Sequence, residues 1–217
     1  MLDCTALITH FQTPELLRVA ARSFKTWYPH TPVLVVDNGS RDASELVLGE
    51  LSEEYPGSLR VMRLERNYFH GPALDIAFRS AIETEYVFTL DSDTETVSGG
   101  FLEQMVALLE SAPENYSSGR VIRVNKRGFA TRNGAYELCW IPYAMFRRST
   151  YLTLPPFEHH GVPNLRNGIA AARMGYSFLD FPVDEYVNHL GRGTAELYGY
   201  GLGVRGLAGR ILDRCGL

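Results

Sequence analysis

The sequence has few cysteines and no long apolar run. Its three cysteines, Cys4, Cys139 and Cys215, lie far apart and form no CxxC pair. This spacing indicates neither a zinc site nor a disulfide framework, and it is typical of a reducing compartment. No apolar stretch approaches the ~20 residues of a transmembrane helix, and the start of the chain lacks the basic segment of a signal peptide. We therefore expect a soluble, cytoplasmic protein.

An excess of positive charge is also missing. The 217 residues include 21 Lys and Arg against 25 Asp and Glu, so the net charge is −4. Nucleic-acid-binding domains normally show a basic excess, and we expect no nucleic-acid partner here. Two phosphate-binding signatures are absent as well: no GxGxxG follows the first predicted strand, and no P-loop is found.

Strand and helix patterns alternate four times in the first 111 residues. Apolar, β-branched runs predict strands over 4–9, 33–36, 59–64 and 86–90. Apolar residues at helical spacing predict helices over 14–27, 43–55, 74–82 and 101–109. Such alternation is typical of a parallel sheet with right-handed crossovers, and the chain has the length of one α/β domain.

The pattern changes after Pro113. Strands are predicted over 120–125, 129–132 and 135–146. A helix over 164–174 and a strand over 176–181 follow them. Asn133-Gly134 is a strong signal for a hairpin turn. Glycine is frequent from Gly191 to Gly209, which indicates a mobile lid or a loose tail. We predict a single α/β domain with a mostly parallel central sheet, flanking helices and a smaller antiparallel region.

Two carboxylates follow the fourth of the strands predicted in the first half. The run Tyr86–Leu90 leads directly into Asp91, Ser92 and Asp93. Residues two apart on a strand point the same way, so both carboxylates can address one cation. His189 follows the last predicted strand and is a candidate third ligand, the alternative being an ordinary core or surface histidine. Carboxylate ligands favour Mg²⁺ or Mn²⁺, and an added imidazole favours Mn²⁺.

Polar or aromatic residues also follow the first and second strands. A nucleotide lying across these strand ends would reach Thr9 and Phe11, and then Asp37-Asn38. Asp37-Asn38 could recognise a pyrimidine edge, or could simply form a turn before the second helix. Arg66-Asn67 begins a loop that could face phosphate or sugar, or could be a polar connector.

A loop and the chain end offer further candidates. Glu158, His159 and His160 are possible general bases, each weak when taken alone. Residues 204–217 place arginines beside leucines, which fits weak membrane-surface association or a terminal packing helix.

Several of these segments, taken together, resemble the family 2 glycosyltransferases. The matching pieces run from Ala6-Leu7-Ile8-Thr9 to Val35-Val36-Asp37-Asn38-Gly39-Ser40, then Arg66-Asn67, Leu90-Asp91-Ser92-Asp93 and Val187-Asn188-His189. The resemblance covers about residues 4–194 and implies the GT-A fold. It divides the domain into a nucleotide-sugar-binding half (1–111), an acceptor half (112–190) and a glycine-rich lid and tail (191–217).

The resemblance also implies roles for individual residues. Thr9, Phe11 and Asn38 would hold the base, with Asp37 completing that pocket. Asp91 would contact the ribose or the water shell of the metal. Asp93 would bind the divalent ion, Mn²⁺ or Mg²⁺, and His189 would complete its site. Arg66, Asn67 and Ser92 belong to the same expected donor-binding set.

The sequence departs from the family pattern in two places. Asn38 stands where the family commonly has aspartate. The acidic pair that the family places before the helix over 164–174 should fall near Pro163-Asn164, and neither residue is acidic. Glu158 is then the candidate replacement for the catalytic base; without it the enzyme would be retaining or inactive.

We therefore predict a metal-dependent, inverting transferase. It would move a sugar from a UDP- or dTDP-linked donor to a glycan, lipid-linked or protein acceptor; the sequence does not indicate its oligomeric state. One alternative is a phosphatase of the haloacid dehalogenase type, because Asp91-Ser92-Asp93 after a buried strand also resembles the paired aspartates that begin its DxDxT motif. The other is a non-catalytic nucleotide- or sugar-binding protein.

Overall fold

A computed structural model describes residues 2–158 and 162–191 of this chain. Seven strands form the central sheet in the order β3-β2-β1-β4-β7-β6-β8. The strands, including a separate pair formed by β5 and β9, are β1 Cys4–His10, β2 Val33–Asp37, β3 Leu59–Arg63, β4 Tyr86–Asp91, β5 Thr94–Thr96, β6 Asn115–Val124, β7 Tyr136–Arg147, β8 Ser177–Asp180 and β9 Val187–His189. The helices are α1 Pro14–Trp27, α2 Ser44–Glu54, α3 His70–Ser80, α4 Phe101–Glu110, α5 Arg148–Tyr151 and α6 Leu165–Arg173.

The first four strands of the sheet are parallel, as the alternating pattern predicts. β1 pairs with β2 on one side and with β4 on the other, and β2 pairs with β3. Helices α1, α2 and α4 pack in one apolar cluster, whereas α3 and part of α6 pack in another. Because helices cover both faces, β2 is buried along its whole length, which explains its continuous apolar sequence. All four strands place their carboxyl ends at one edge of the sheet.

The second half adds antiparallel strands, and one expectation about them is wrong. β7 runs antiparallel to both β4 and β6, and β8 joins β6 in parallel. The predicted strand over 129–132 is reduced to a bridge between Ala130 and Val124. Gly134 closes a turn by donating its N–H to the Thr131 oxygen (3.1 Å), but that turn lies inside the longer β6–β7 connection. β7 pairs instead with the longer and more apolar β6, which buries more of its surface.

The small sheet of β5 and β9 brings the two halves together at the carboxyl edge. Thr94 pairs with His189, and the Leu190 N–H donates to the Asp93 oxygen (2.8 Å). Within residues 2–158 and 162–191, no helix has the length and apolar character needed to cross a membrane. The predicted lid and basic tail lie beyond Gly191, outside the described residues, as do His159 and His160.

Candidate active site

Two carboxylates and one imidazole converge beyond β4. Ligand atoms of Asp91, Asp93 and His189 all lie within 4.8 Å of one another. His189 Nε2 is 3.4 Å from Asp93 Oδ1, and the Asp93 side chain is only 10% exposed. The pairing of β5 with β9 fixes this approach in the backbone. Two carboxylate oxygens and one imidazole nitrogen are a donor set suited to Mn²⁺ or Mg²⁺.

His70, which no sequence motif singled out, also reaches this cluster. It is the first residue of α3, and its Nε2 lies 3.2 Å from Asp91 Oδ1. Burial alone would lower the pKa of His70, but the carboxylates of Asp91 and Asp93 outweigh it and raise this pKa. The contact joins residues 21 positions apart, so no local motif could have revealed it. His70 is therefore part of the site.

The end of β1 contributes a buried hydroxyl. Thr9 pairs with Asp91 in the parallel register. Its Oγ1 is buried and has no hydrogen-bond partner among the described residues. Buried hydroxyl groups are normally satisfied, so this atom marks a place for a bound group or water. Phe11 is half-buried and lies on the loop that follows β1.

Ser92 has a structural contact in addition to its place in the site. Its Oγ lies 3.3 Å from Thr13 Oγ1, in the residue that precedes α1. Thr13 is the N-cap residue of α1, and Pro14 is the first residue of the helix. The Thr13 hydroxyl bonds across to Ser92 instead of capping the helix, so it ties α1 to the end of β4.

Asp37 and Asn38 organise the turn after β2. Asp37 Oδ1 accepts a hydrogen bond from the Ser40 N–H (3.2 Å), which is the turn geometry weighed as an alternative for this pair. Asn38 Nδ2 donates to Asn67 Oδ1 (3.1 Å), and Asn38 Oδ1 accepts from the Tyr68 N–H (2.9 Å). The Asn38 side chain thus holds the β3–α3 loop.

Arg66 lies against the same turn. A Cβ atom on Gly39, whose φ is +77°, would stand 2.4 Å from the Arg66 carbonyl carbon. The two backbones therefore pack directly. The Arg66 guanidinium lies over the Tyr68 ring, 4.9 Å from its centroid.

Glu158 reaches the site through its backbone. A Cβ atom on Gly71, the residue after His70, would lie 2.7 Å from the Glu158 carbonyl. The Glu158 carboxylate accepts a hydrogen bond from Arg166 Nη1 (2.6 Å). Asn164, which stands where an acid was expected, is buried and donates to the Cys139 oxygen (2.8 Å). Glu158 thus remains the described acid nearest in sequence to that position.

Aromatic side chains support His189 from β7. The Trp140 ring lies 5.3 Å from the His189 ring, and the Tyr143 ring lies 6.3 Å from it. The Arg120 guanidinium packs over Trp140, 5.1 Å from the ring centroid. These contacts restrict the orientation of the imidazole. The sequence predicts that these residues belong to an acceptor half over 112–190, but not that they support a candidate metal ligand.

A groove lies beside α6, on the second half of the domain. Its volume is about 390 Å³, and it combines cations with apolar residues: Lys126, Pro155, Leu165, Arg166, Ile169, Ala170 and Arg173. Arg166 connects it to Glu158, and Glu158 connects it to the start of α3. The groove is therefore linked to the start of α3 through Arg166 and Glu158.

A mostly parallel sheet with acidic residues at its carboxyl edge, extended by antiparallel strands, defines the GT-A fold. Residues 5–172 match Glycosyl transferase family 2. This chain belongs to that family, as its sequence motifs suggested. Family membership removes the basis for the phosphatase alternative.

Known proteins similar to this chain include transferases of different specificity. The undecaprenyl-phosphate 4-deoxy-4-formamido-L-arabinose transferase of Klebsiella pneumoniae is 29% identical over 125 residues, which are 58% of this chain and 37% of that protein. The chain thus matches little more than a third of this relative's length.

Solved structures confirm the fold. The mannosyltransferase PcManGT from Pyrobaculum calidifontis, in complex with GDP-Man and Mn²⁺, has a TM-score of 0.68 at 20% identity, covering 83% of this chain and 55% of that one. S. aureus TarS 1–349, in complex with UDP-GlcNAc, has a TM-score of 0.62 at 17% identity, covering 98% of this chain and 67% of that one.

Proposed function

We propose that this protein is a metal-dependent glycosyltransferase that moves a sugar from a UDP- or dTDP-linked donor with inversion. One observation carries the proposal: Asp91, Asp93 and His189 converge within 4.8 Å at the carboxyl edge of the sheet. Ligands of open α/β sheets bind at this edge. The buried Thr9 hydroxyl beside Asp91 has no hydrogen-bond partner within the described part of the chain, which supports a bound polar group there.

The donor-binding residues divide by position. Thr9 and Phe11 are proposed to contact the nucleoside, and Asp37-Asn38 to close that end of the pocket. Arg66 and Asn67 border the same end through the β3–α3 loop. Asp93 and His189 are proposed to hold Mn²⁺ or Mg²⁺, with Asp91 as a further ligand or a ribose contact. When bound, the ion neutralises the charge that develops on the nucleoside diphosphate as it leaves.

Glu158 is the proposed catalytic base. Its backbone packs against Gly71, and the neighbouring residue His70 contacts Asp91. A carboxylate within hydrogen-bond distance of the acceptor hydroxyl can remove its proton. Such general base catalysis typically raises the rate by ~10²–10⁴-fold. Arg166 fixes one carboxylate oxygen and so orients the group.

In the Glu158→Gln variant, turnover should fall by at least about 10²-fold while donor affinity is retained.

A lipid-linked phosphate is the proposed acceptor class. The groove beside α6 places Lys126, Arg166 and Arg173 beside apolar residues, which complements an anionic head on an apolar chain. The name of the Klebsiella pneumoniae relative includes undecaprenyl phosphate.

Vesicles containing undecaprenyl phosphate should bind wild type more tightly than vesicles without it. Lys126→Ala with Arg173→Ala should remove that difference, whereas Arg132→Ala, an exposed arginine outside the groove lining, should not.

Release of nucleoside diphosphate from a panel of UDP- and dTDP-sugars with Mn²⁺ tests the proposed activity. We expect release from at least one donor, an inverted anomeric product, and loss of release in Asp93→Asn. If wild type binds nucleotide but releases none with any donor or acceptor tested, the protein is the non-catalytic binder weighed as an alternative.

A further inference from the structure

Phe69 has a backbone conformation that L-residues rarely adopt. Its φ is +67°, and Gln12 (φ +54°) is the other non-glycine residue with positive φ in the described part of the chain. Both residues lie on loops at the carboxyl edge of the sheet. Such strain persists where surrounding contacts hold it, and it concentrates at functional sites.

Two asparagine side chains hold Phe69 in place. Asn67 Oδ1 accepts from the Phe69 N–H (2.7 Å) and from Asn38 Nδ2 (3.1 Å). Asn38 Nδ2 also donates to the Phe69 oxygen (3.3 Å), and Asn38 Oδ1 accepts from the Tyr68 N–H (2.9 Å). This asparagine clamp, formed by Asn38 and Asn67, engages both backbone polar groups of Phe69. It requires an amide at Asn38, because a carboxylate could not donate either bond.

The clamped loop crosses the end of β1. Its Asn38 contacts lie at the end of β2, and His70 reaches Asp91 at the end of β4. In the sheet β1 lies between β2 and β4. The loop therefore passes over β1 near Thr9, whose buried hydroxyl lacks a partner among the described residues.

Phe69 leaves much of its ring uncovered at this position. Phe69 is 42% exposed, which is unusual for a large apolar side chain. Folding does not bury this ring, so the strained conformation is not explained by core packing. An aromatic face beside a nucleotide site provides a surface on which a planar base can stack.

We propose that Phe69 is a further donor-binding residue whose ring stacks on the nucleobase, and that the asparagine clamp positions it. The inference rests on the proposed function, since it needs a nucleotide donor. It gives the Asn38 amide a role that an aspartate could not fill, because the amide nitrogen donates to Phe69. Asn38 then acts on the base through Phe69.

The test compares UDP with inorganic pyrophosphate, which shares the diphosphate but has no base. Dissociation constants of both, with Mn²⁺, are measured by calorimetry on wild type and on variants at position 69. Phe69→Ala removes the ring but keeps a Cβ atom, so the backbone strain at this position remains. Phe69→Trp keeps an aromatic face. Phe69→Gly removes the ring and also relieves the backbone strain.

We expect Phe69→Ala and Phe69→Gly to weaken UDP binding about tenfold or more, with pyrophosphate binding unchanged. Phe69→Trp should bind UDP within about threefold of wild type, because it retains a stacking surface. The inference is overturned if Phe69→Ala binds UDP like wild type, or if UDP and pyrophosphate weaken equally. If wild type binds no nucleotide, the proposed function fails and this inference fails with it.

Discussion

Asn38 shows how one side chain can join the end of β2 to the loop that follows β3. The sequence correctly places it at the end of a strand, within a turn. Its partners lie about 30 residues away, on Asn67, Tyr68 and Phe69. An asparagine before glycine predicts a turn wherever it occurs, and only the folded chain shows what its amide holds.

The two asparagines of the clamp should respond differently to replacement by aspartate. Asn38→Asp loses two donated hydrogen bonds and should lower the free energy of unfolding by about 1–3 kcal/mol. Asn67→Asp keeps the side-chain oxygen that accepts both hydrogen bonds of Asn67. This variant should therefore lower the free energy of unfolding clearly less than Asn38→Asp does. Urea unfolding of both variants measures the difference. Equal losses, or a larger loss in Asn67→Asp, would contradict the assigned bonds.

His10 should make stability depend on pH. Its side chain is 1% exposed and its Nε2 lies 2.7 Å from Ser44 Oγ. Burial lowers the pKa of His10 from 6.5 to about 4, although the carboxylates of Asp37 and Asp42 oppose this shift. Between these two pKa values the unfolded chain binds the proton more strongly, so stability falls as pH falls. The loss should reach about 3 kcal/mol near pH 4.

Urea unfolding between pH 7.5 and 4.5 measures this contribution. His10→Gln should lose less stability than wild type over that range, because it has no imidazole to protonate. His30→Gln removes an exposed histidine and should follow the wild-type dependence. A His10→Gln profile parallel to that of wild type would show that His10 does not carry the effect.

At the scale of elements, the turn after β2 packs directly on the loop before α3. Gly39 and Gly57 have nearly the same positive φ, +77° and +73°, but only Gly39 faces backbone atoms, those of Arg66. Gly39→Ala should therefore destabilise the protein more than Gly57→Ala, which adds only backbone strain of ~1–3 kcal/mol. Thermal unfolding compares the two. Equal shifts would mean that the turn and the loop can separate without cost.

Elements with strong local patterns could be predicted, and elements set by long-range pairing could not. The β-branched run in β2 and the helical spacing in α1 match the structure closely. The hairpin signal at Asn133-Gly134 marks a real turn, but strand register follows the apolar pairing of β6 with β7. Burial of the apolar face of a long strand stabilises one register more than a local turn preference does.

At the scale of the whole molecule, the fold brings separate strand ends into one site. The pair Asp91 and Asp93 could be predicted because both follow one buried strand. His189 could be proposed from its place after the last strand, and the β5–β9 pairing brings it to Asp93. His70 could not be predicted, because its contact with Asp91 depends on where α3 begins.

Calorimetric titration of the wild-type protein with Mn²⁺ and UDP or dTDP tests the central claim most directly. We predict that one of these nucleotides binds in the presence of Mn²⁺, that binding weakens strongly without the ion, and that Asp93→Asn loses the metal-dependent part. Asp180→Asn, a change on β8 outside the metal cluster, should bind like wild type. Nucleotide binding that is independent of Mn²⁺ and unchanged in Asp93→Asn would contradict the proposed metal centre.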